Sequence, residues 1–404
     1  MSKIKFIKAE KFKDVAISLR FASQGDTNHS VRALLSIMLS DRSKNYSTKV
    51  LMNDKLDNMF GAHLSSAIFA YGHAHVIELS LSALSPKYVE EDLLNEQVAF
   101  LSDLLYNPLL NEALFKEAKI NLTDIIMRAK DSLGSYVISE SLRLAGKGYP
   151  LEHSRYGTLE ELADVTLADV KAEYEKLIKE DVLIATVIGD CDEAQLNELF
   201  AKNFREHNDQ EFKTNYLLDS DEVSKHEVIM SVPSPYFSIV YNTKVLNVGR
   251  EYWALQLMSM VLGQLPNSYL FQEVREKRSL TYSIRSMVGG YDGVLTISSG
   301  VRDKSEDEAI AISLEQVARI QAGDINETLF NSAKAMLINS MYQTNDSNRR
   351  ILDLEYRKLV LNENLNTEDL IKIVNSIELA ELVTVANKLE LNTIYKIVKG
   401  DLNE

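Results

Sequence analysis

Arg275 and Tyr282 stand seven positions apart in the stretch "EVREKRSLTYSI". A guanidinium fork and a phenol hydroxyl can both donate hydrogen bonds to carbonyl oxygens. By spacing alone, Arg275 belongs to a solvated charge run with Glu276, Lys277 and Arg278, and Tyr282 is a half-buried strand residue. Other candidate chemistry is sparse. The seven histidines (His29, His63, His73, His75, His153, His207 and His226) contain no His-x-x-x-His or His-x-x-Glu-His set. His73 and His75 are the close pair. At period two they share a strand face and could both touch one metal, but no third ligand is evident and a hairpin accounts for polar residues there. Cys191 follows the apolar run "VLIATVIGD" with no base beside it, which suits a strand end better than a nucleophile. "GGYDG" at 289–293 has the composition of a hairpin turn. No Gly-x-Ser-x-Gly elbow or glycine-rich phosphate cradle occurs. The acidic pairs Glu90–Glu91 and Glu160–Glu161 fall at helix starts, where carboxylates favour the dipole.

The elements that would position these residues come in two sets. "NEALFKEAKINL" begins at Asn111 and "NETLFNSAKAML" at Asn326, with Asn, Glu, Leu, Phe, Ala, Lys and Leu recurring in the same order. Apolar residues at three- and four-residue steps make both copies amphipathic helices. Before each copy stand two alternating strands, joined at "YGHAH" in the first half and at "GGYDG" in the second. Helical patterns precede each strand pair, at 31–39 and 47–60, then at 251–262 and 267–274. A longer helix follows each pair, at 90–106 and 307–321. Both halves close on helices leading into "VLIATVIGD" and "TIYKIVKGD". "DVAISLRFAS" and "HEVIMSV" are read as the opening strands. The expectation is α+β: two homologous halves, each an antiparallel-rich sheet packed with helices. The first covers 1–205 and the second 226–404, with an exposed linker at 206–225.

Composition excludes several classes. The chain has 404 residues, 45% hydrophobic and 25% charged, which is ample for large cores without disulfides or structural metals. A formal net charge of −15 with no basic cluster argues against nucleic acid as a partner. No run of eighteen apolar residues suggests a membrane span, and "MSKIKFIKAEKFKDV" has no secretory signal pattern. One cysteine fits a reducing compartment, so the expected location is cytoplasmic.

The two-half layout and "VREKRSLTYSI" resemble the M16 (insulinase/pitrilysin, mitochondrial processing peptidase-like) family over essentially the whole chain. The family's Leu-Arg-Glu-x-x-Gly-Leu-x-Tyr wording is matched by Arg275, Glu276, Leu280 and Tyr282, with Ser279 where the family has glycine. The resemblance implies an M16/LuxS-metallohydrolase-like fold. Catalytic chains of the family hold zinc on a first-half helix reading His-x-x-Glu-His, plus a distant glutamate. Histidines four apart share one helix face, and the glutamate between them activates the bound water. Aligned on "KNYS", the histidine positions fall on Ala33 and Ile37 and the glutamate position on Ser36. A slip of one residue gives Leu34, Ile37 and Met38 instead. The third ligand falls near Thr123 or Asp124, and Asp124 alone cannot hold zinc.

What the resemblance then implies is a chain with no metal of its own, whose Arg275 and Tyr282 bind substrate backbone and stabilise a tetrahedral intermediate at a zinc held by a partner. The expected partner is a zinc-bearing M16 subunit in a heterodimer, or a second copy in a homodimer, closing a peptide-processing chamber. An inert scaffold or binding protein of the same fold is the alternative. An independent metallopeptidase with unusual ligands is a third reading.

Overall fold

In the computed structural model, residues 4–24, 28–89, 91–219 and 222–400 are described, and they form two five-stranded sheets with helices packed on them. The first sheet takes β1 (Ile4–Lys8), β2 (Asp14–Gln24), β3 (His63–Tyr71), β4 (Ala74–Leu84) and β5 (Val182–Gly189) in the order β1-β5-β2-β4-β3. The second takes β6 (Ser224–Met230), β7 (Tyr236–Asn242), β8 (Thr281–Gly289), β9 (Val294–Val301) and β10 (Glu390–Lys399) in the order β6-β10-β7-β9-β8. The two orders are the same pattern. In each, the first strand pairs parallel with the last, and the remaining pairs are antiparallel.

This corrects the opening strands. "HEVIMSV" is the counterpart of β1, and the counterpart of β2 is β7. Both β1 and β7 escape a reading by alternation. β1 is a five-residue edge strand, "IKFIK", with lysines on its face, which is how short edges are protected. β7, "YFSIVYN", is nearly continuously buried and so shows no alternation.

Five of the seven residues shared by the repeated helix segment make matching contacts in both copies. The helices are Glu112–Asp131 and Glu327–Thr344. Asn111 Oδ1 accepts from Leu114 N–H at 2.9 Å, and Asn326 Oδ1 accepts from Leu329 N–H at 2.9 Å. Leu114, Phe115 and Ala118 are buried, as are Leu329, Phe330 and Ala333. Lys119 Nζ donates to Ala163 O at 2.9 Å and Lys334 Nζ to Asn375 O at 2.9 Å. The helix read from Glu90 runs Leu93–Tyr106 behind an Asp92 cap, and Glu90 itself lies outside the described residues.

The compact units do not follow one cut of the chain. The first unit comprises residues up to Met127, Arg155–Thr214 and Thr344–Glu363; the second comprises Arg128–Ser154, Asn215–Gln343 and the chain from Asn364 on. A first-half helix, Leu133–Ala145, therefore belongs to the second unit, and a second-half helix, Asn348–Leu361, belongs to the first. Each covers the second face of the sheet in its unit. In the first unit Val15, Ile17, Leu19 and Phe21 of β2 enter the main core, while Ser18 and Arg20 on the opposite face are buried too. Arg20 Nε donates to Glu78 Oε1 at 2.9 Å and its other end pairs with Asp353; Arg349 donates to Glu78 Oε2 at 2.5 Å. Glu78 is pushed up by burial, but the Arg20 and Arg349 charges win and hold it below the usual carboxylate range. In the second unit the equivalent contact is made by small groups: Ser141 Oγ donates to Ser238 Oγ at 2.8 Å, and Gly134 approaches the Tyr236 ring.

The stretch read as an exposed linker is docked. Leu183 N–H donates to Asn208 O at 3.2 Å and His73 N–H to Thr214 O at 2.9 Å in the first unit. In the second, Tyr216 N–H donates to Tyr291 O at 3.2 Å, and Tyr216 and Leu218 are buried. Ser220 and Asp221 of that stretch lie outside the described residues. Polar composition hid this because the anchoring bonds use backbone groups, which composition does not report.

One docked contact carries a pH prediction. Tyr216 Oη donates to Asp292 Oδ1 at 2.6 Å, and burial pushes the Asp292 carboxyl up. A raised acid opposes folding where it is ionised, and that penalty vanishes as pH falls through its folded value. Asp292→Asn is therefore expected to raise the urea midpoint at about pH 8 and to match the unsubstituted chain near about pH 4. An equal midpoint at the higher pH would remove Asp292 as the source.

Candidate functional site

Arg275 and Tyr282 flank a helix-to-strand turn that presents both. The segment Phe271–Glu276 winds as a π-helical turn, with Lys277 N–H donating to Gln272 O at 3.0 Å. Such turns insert one residue and re-aim the side chains that follow. Buried Val274 and Leu280 pin the turn from inside, and Leu280 N–H closes it on Val274 O at 3.0 Å. Ser279 sits between them at φ +52°, with its N–H donating to Arg275 O at 2.9 Å. Glycine suits this left-handed position, which explains the family's residue there; serine adopts it at a cost of about 1 kcal/mol.

Beyond the turn, Tyr282 is the extra residue of a β-bulge. Thr281 pairs with Val301 and Ser283 with Gly300, so Tyr282 opposes nothing on β9. Strand alternation would expose only one of two consecutive residues, yet Tyr282 and Ser283 are both exposed, Tyr282 by 84%. The half-buried tyrosine expected from the strand pattern is thus a solvent-facing phenol. The Arg275 guanidinium carbon lies 5.0 Å from the Tyr282 ring centroid and 4.4 Å from that of Phe271.

The charge run around Arg275 is sorted by Glu273. Its carboxylate accepts from Lys277 at 2.7 Å and Arg278 at 3.0 Å, with Arg319 at 3.8 Å. The Lys277 hydrogen bond, against the opposing effect of partial burial, holds Glu273 below the usual carboxylate range, and Arg278 adds to it. Lys277 and Arg278 are therefore both tied to the one Glu273 carboxylate. Among the described residues, Arg275 meets only Glu276 at 3.6 Å and the two aromatic faces. Its fork and the Tyr282 hydroxyl together form a pair of donors suited to a carbonyl oxygen or an oxyanion.

The degenerate zinc positions lie on helix His29–Asp41, the helix of the first unit that the resemblance points to. Ala33 and Ser36 are buried and Ile37 is half-buried, packed in the core with Leu34 and Met38. Only Ser36 among these carries a polar atom. Thr123 Oγ1 donates to Lys119 O at 2.8 Å and Asp124 is exposed. These residues do not fit a zinc ion, which takes thiolate, imidazole or carboxylate donors. Among the described residues, no group of three His, Cys, Asp or Glu side chains could hold a metal ion.

His73 and His75 do not form the shared strand face considered above. His73 lies in the exposed turn before β4, while His75 is buried. His75 Nδ1 accepts from Arg32 Nε–H at 3.0 Å, so Nε2 carries the proton and donates to Arg155 O at 2.9 Å. Burial, helped by the Arg32 and His29 charges, pushes His75 down to about 3, so it stays neutral. Its ring stacks on His29 at 4.6 Å. Arg32 is fully buried, pairing with Glu173 at 2.7 Å and Asp181 at 2.8 Å and donating to Phe21 O and His75 O. Burial pushes Asp181 up despite that pairing. An arginine within the apolar pattern "SVRALLSIML" was the available signal for this network.

These contacts predict that the isolated chain, equilibrated with micromolar zinc and then desalted, retains far less than one equivalent by elemental analysis. One equivalent, lost on His73→Ala or His75→Ala, would restore the metallopeptidase reading. Among the described residues no helix is long and apolar enough to cross a membrane.

The family described as Peptidase M16 inactive domain matches residues 164–337, which include Arg275 and Tyr282. The chain is similar to the probable inactive metalloprotease YmfF of Bacillus subtilis, 24% identical over 413 residues that cover 98% of this chain and 95% of that one. Its fold is similar to that of a conserved protein from Enterococcus faecalis V583, with TM-score 0.94 and 25% identity, over 99% of this chain and 97% of that one. It also resembles a peptidase M16 inactive domain from Pseudomonas fluorescens, with TM-score 0.83 and 18% identity, over 100% and 97% of the two chains. Over nearly its whole length the chain is thus similar to inactive homologues of the M16 peptidases, and its residues 164–337 match the M16 inactive-domain family.

Proposed function

We propose that this chain is the non-catalytic member of a two-chain peptidase and lends Arg275 and Tyr282 to a zinc site carried by a zinc-bearing M16 partner. The observation that carries the reading is a contrast within one chain. The positions Ala33, Ser36 and Ile37 offer no imidazole or carboxylate, while Tyr282 stands exposed with the half-buried Arg275 guanidinium over its ring. A buried apolar motif is what results when a metal site is no longer needed. An exposed tyrosine on a bulge has no comparable packing role, since it contributes little buried area.

In this reading the partner's zinc activates water and polarises the scissile carbonyl. Arg275 binds a backbone carbonyl of the peptide through its planar fork, and the Tyr282 hydroxyl donates to the oxygen that becomes negative. The test is reconstitution. The chain is mixed with an M16 chain of similar length carrying His-x-x-Glu-His, and peptide cleavage is followed as the ratio is varied. Turnover should rise steeply to a one-to-one ratio, with little from either chain alone. Tight association without turnover would make the chain a scaffold of the same fold.

A further inference from the structure

We propose that Thr281 is a positioning residue whose hydroxyl holds the bulge open and so sets where the Tyr282 phenol points; this rests on the reading that Tyr282 works on substrate. Thr281 is buried, and its Oγ1 accepts from Ser283 N–H at 3.1 Å, across the bulged residue itself. The same oxygen lies 3.0 Å from Ser283 O, 2.5 Å from Gly300 O and 2.7 Å from Ser299 Oγ. Ser299 Oγ in turn lies 3.0 Å from Ser283 O and from Gly300 O. A bulge leaves backbone groups without ladder partners, and these two hydroxyls take up that role.

The consequence for Tyr282 follows from strand alternation. Ile284 points inward and Ser283 outward. If the ladder continued regularly past Ser283, position 282 would turn inward, away from Arg275. With the Thr281 hydroxyl bridging the extra residue, Tyr282 faces solvent and its ring reaches the Arg275 guanidinium. β8 is an edge strand with β9 as its single neighbour, so no second ladder fixes its register. Side-chain hydroxyls therefore decide it.

The experiment uses Thr281→Val, which keeps the shape and removes the hydroxyl, and Thr281→Ser, which keeps the hydroxyl. The first readout needs no partner: the rate of tyrosine iodination at Tyr282, followed by peptide mapping of the full chain. Thr281→Val should slow it several-fold and Thr281→Ser should restore it. An unchanged or faster rate in Thr281→Val overturns the inference whatever the activity shows. The second readout is a double-mutant cycle in the assembled pair. Thr281→Val should lower kcat about tenfold with KM nearly unchanged, and should cost nothing more when Tyr282→Phe is already present. A tenfold loss in both backgrounds means Thr281 acts on general structure, and overturns the inference. If Tyr282→Phe alone has no effect, the trans-site reading fails, while the iodination result still decides the role of Thr281. Should Thr281→Val not fold, Ser299→Ala removes the other hydroxyl and must slow iodination in the same direction.

Discussion

In the reconstituted pair, Tyr282→Phe is expected to lower kcat by roughly 10²- to 10³-fold, the usual cost of removing one donor aimed at a developing oxyanion. The substitution deletes a single hydroxyl. The ring, its exposure and its contact with Arg275 are retained. Stability should be unchanged within about 0.5 kcal/mol, as for other exposed positions. Arg275→Ala should be at least as damaging to kcat/KM, with a larger share in KM, since a fork on a peptide carbonyl already binds in the ground state. Arg275→Lys should recover little. A lysine keeps the charge but loses both the planar donor set and the stacking on Phe271 and Tyr282. Steady-state kinetics at saturating partner separates these outcomes. Activity that survives both Arg275→Ala and Tyr282→Phe would leave the pair with no working role.

Arg32→Met is expected to destabilise the first unit by about 3–5 kcal/mol. The guanidinium is enclosed, and the variant would leave Glu173 and Asp181 buried without their counter-charge and His75 Nδ1 without its donor. Breaking a buried cluster from one side is costly because the remaining charges cannot regain water. The companion test removes the whole cluster's charge. Adding Glu173→Gln and Asp181→Asn to Arg32→Met should recover much of the loss, although each substitution alone is destabilising. Urea unfolding measures both. A loss below about 1 kcal/mol in Arg32→Met would mean that water reaches the carboxylates and that the network is not a closed one.

Arg32 also shows why the neighbouring zinc positions are silent. Its helix directs Ala33, Leu34 and Met38 into the first-unit core and Arg32 toward Glu173 and Asp181. The polar cluster nearest the degenerate motif is closed on itself, with Glu173 and Asp181 both paired to the one Arg32 guanidinium and His75 kept neutral. The helix has become part of the scaffold.

Local and repeated features were readable from residue order. Asn111 and Asn326 announce the same cap, and Leu, Phe and Ala the same buried stripe, because each is set by its place on its own helix; Lys119 and Lys334 recur as well, though the carbonyls they reach lie on other segments. The absence of metal ligands at Ala33, Ser36 and Ile37 is likewise a property of residue identity, as is the presence of Arg275 and Tyr282. Other features depend on partners far away in the chain. An amphipathic pattern says that helices Leu133–Ala145 and Asn348–Leu361 have a face to bury, but not that each belongs with the other half's sheet. Period two put His73 and His75 on one face, and the turn before β4 separated them. A strand pattern made Tyr282 half-buried. The bulge depends on hydroxyls from two strands, Thr281 on β8 and Ser299 on β9, and it turned Tyr282 out to solvent. Residue identity by itself thus determined which groups this protein has and lacks. Tertiary structure decided which of them face water, because exposure is set by register and by what packs on the second face of each sheet.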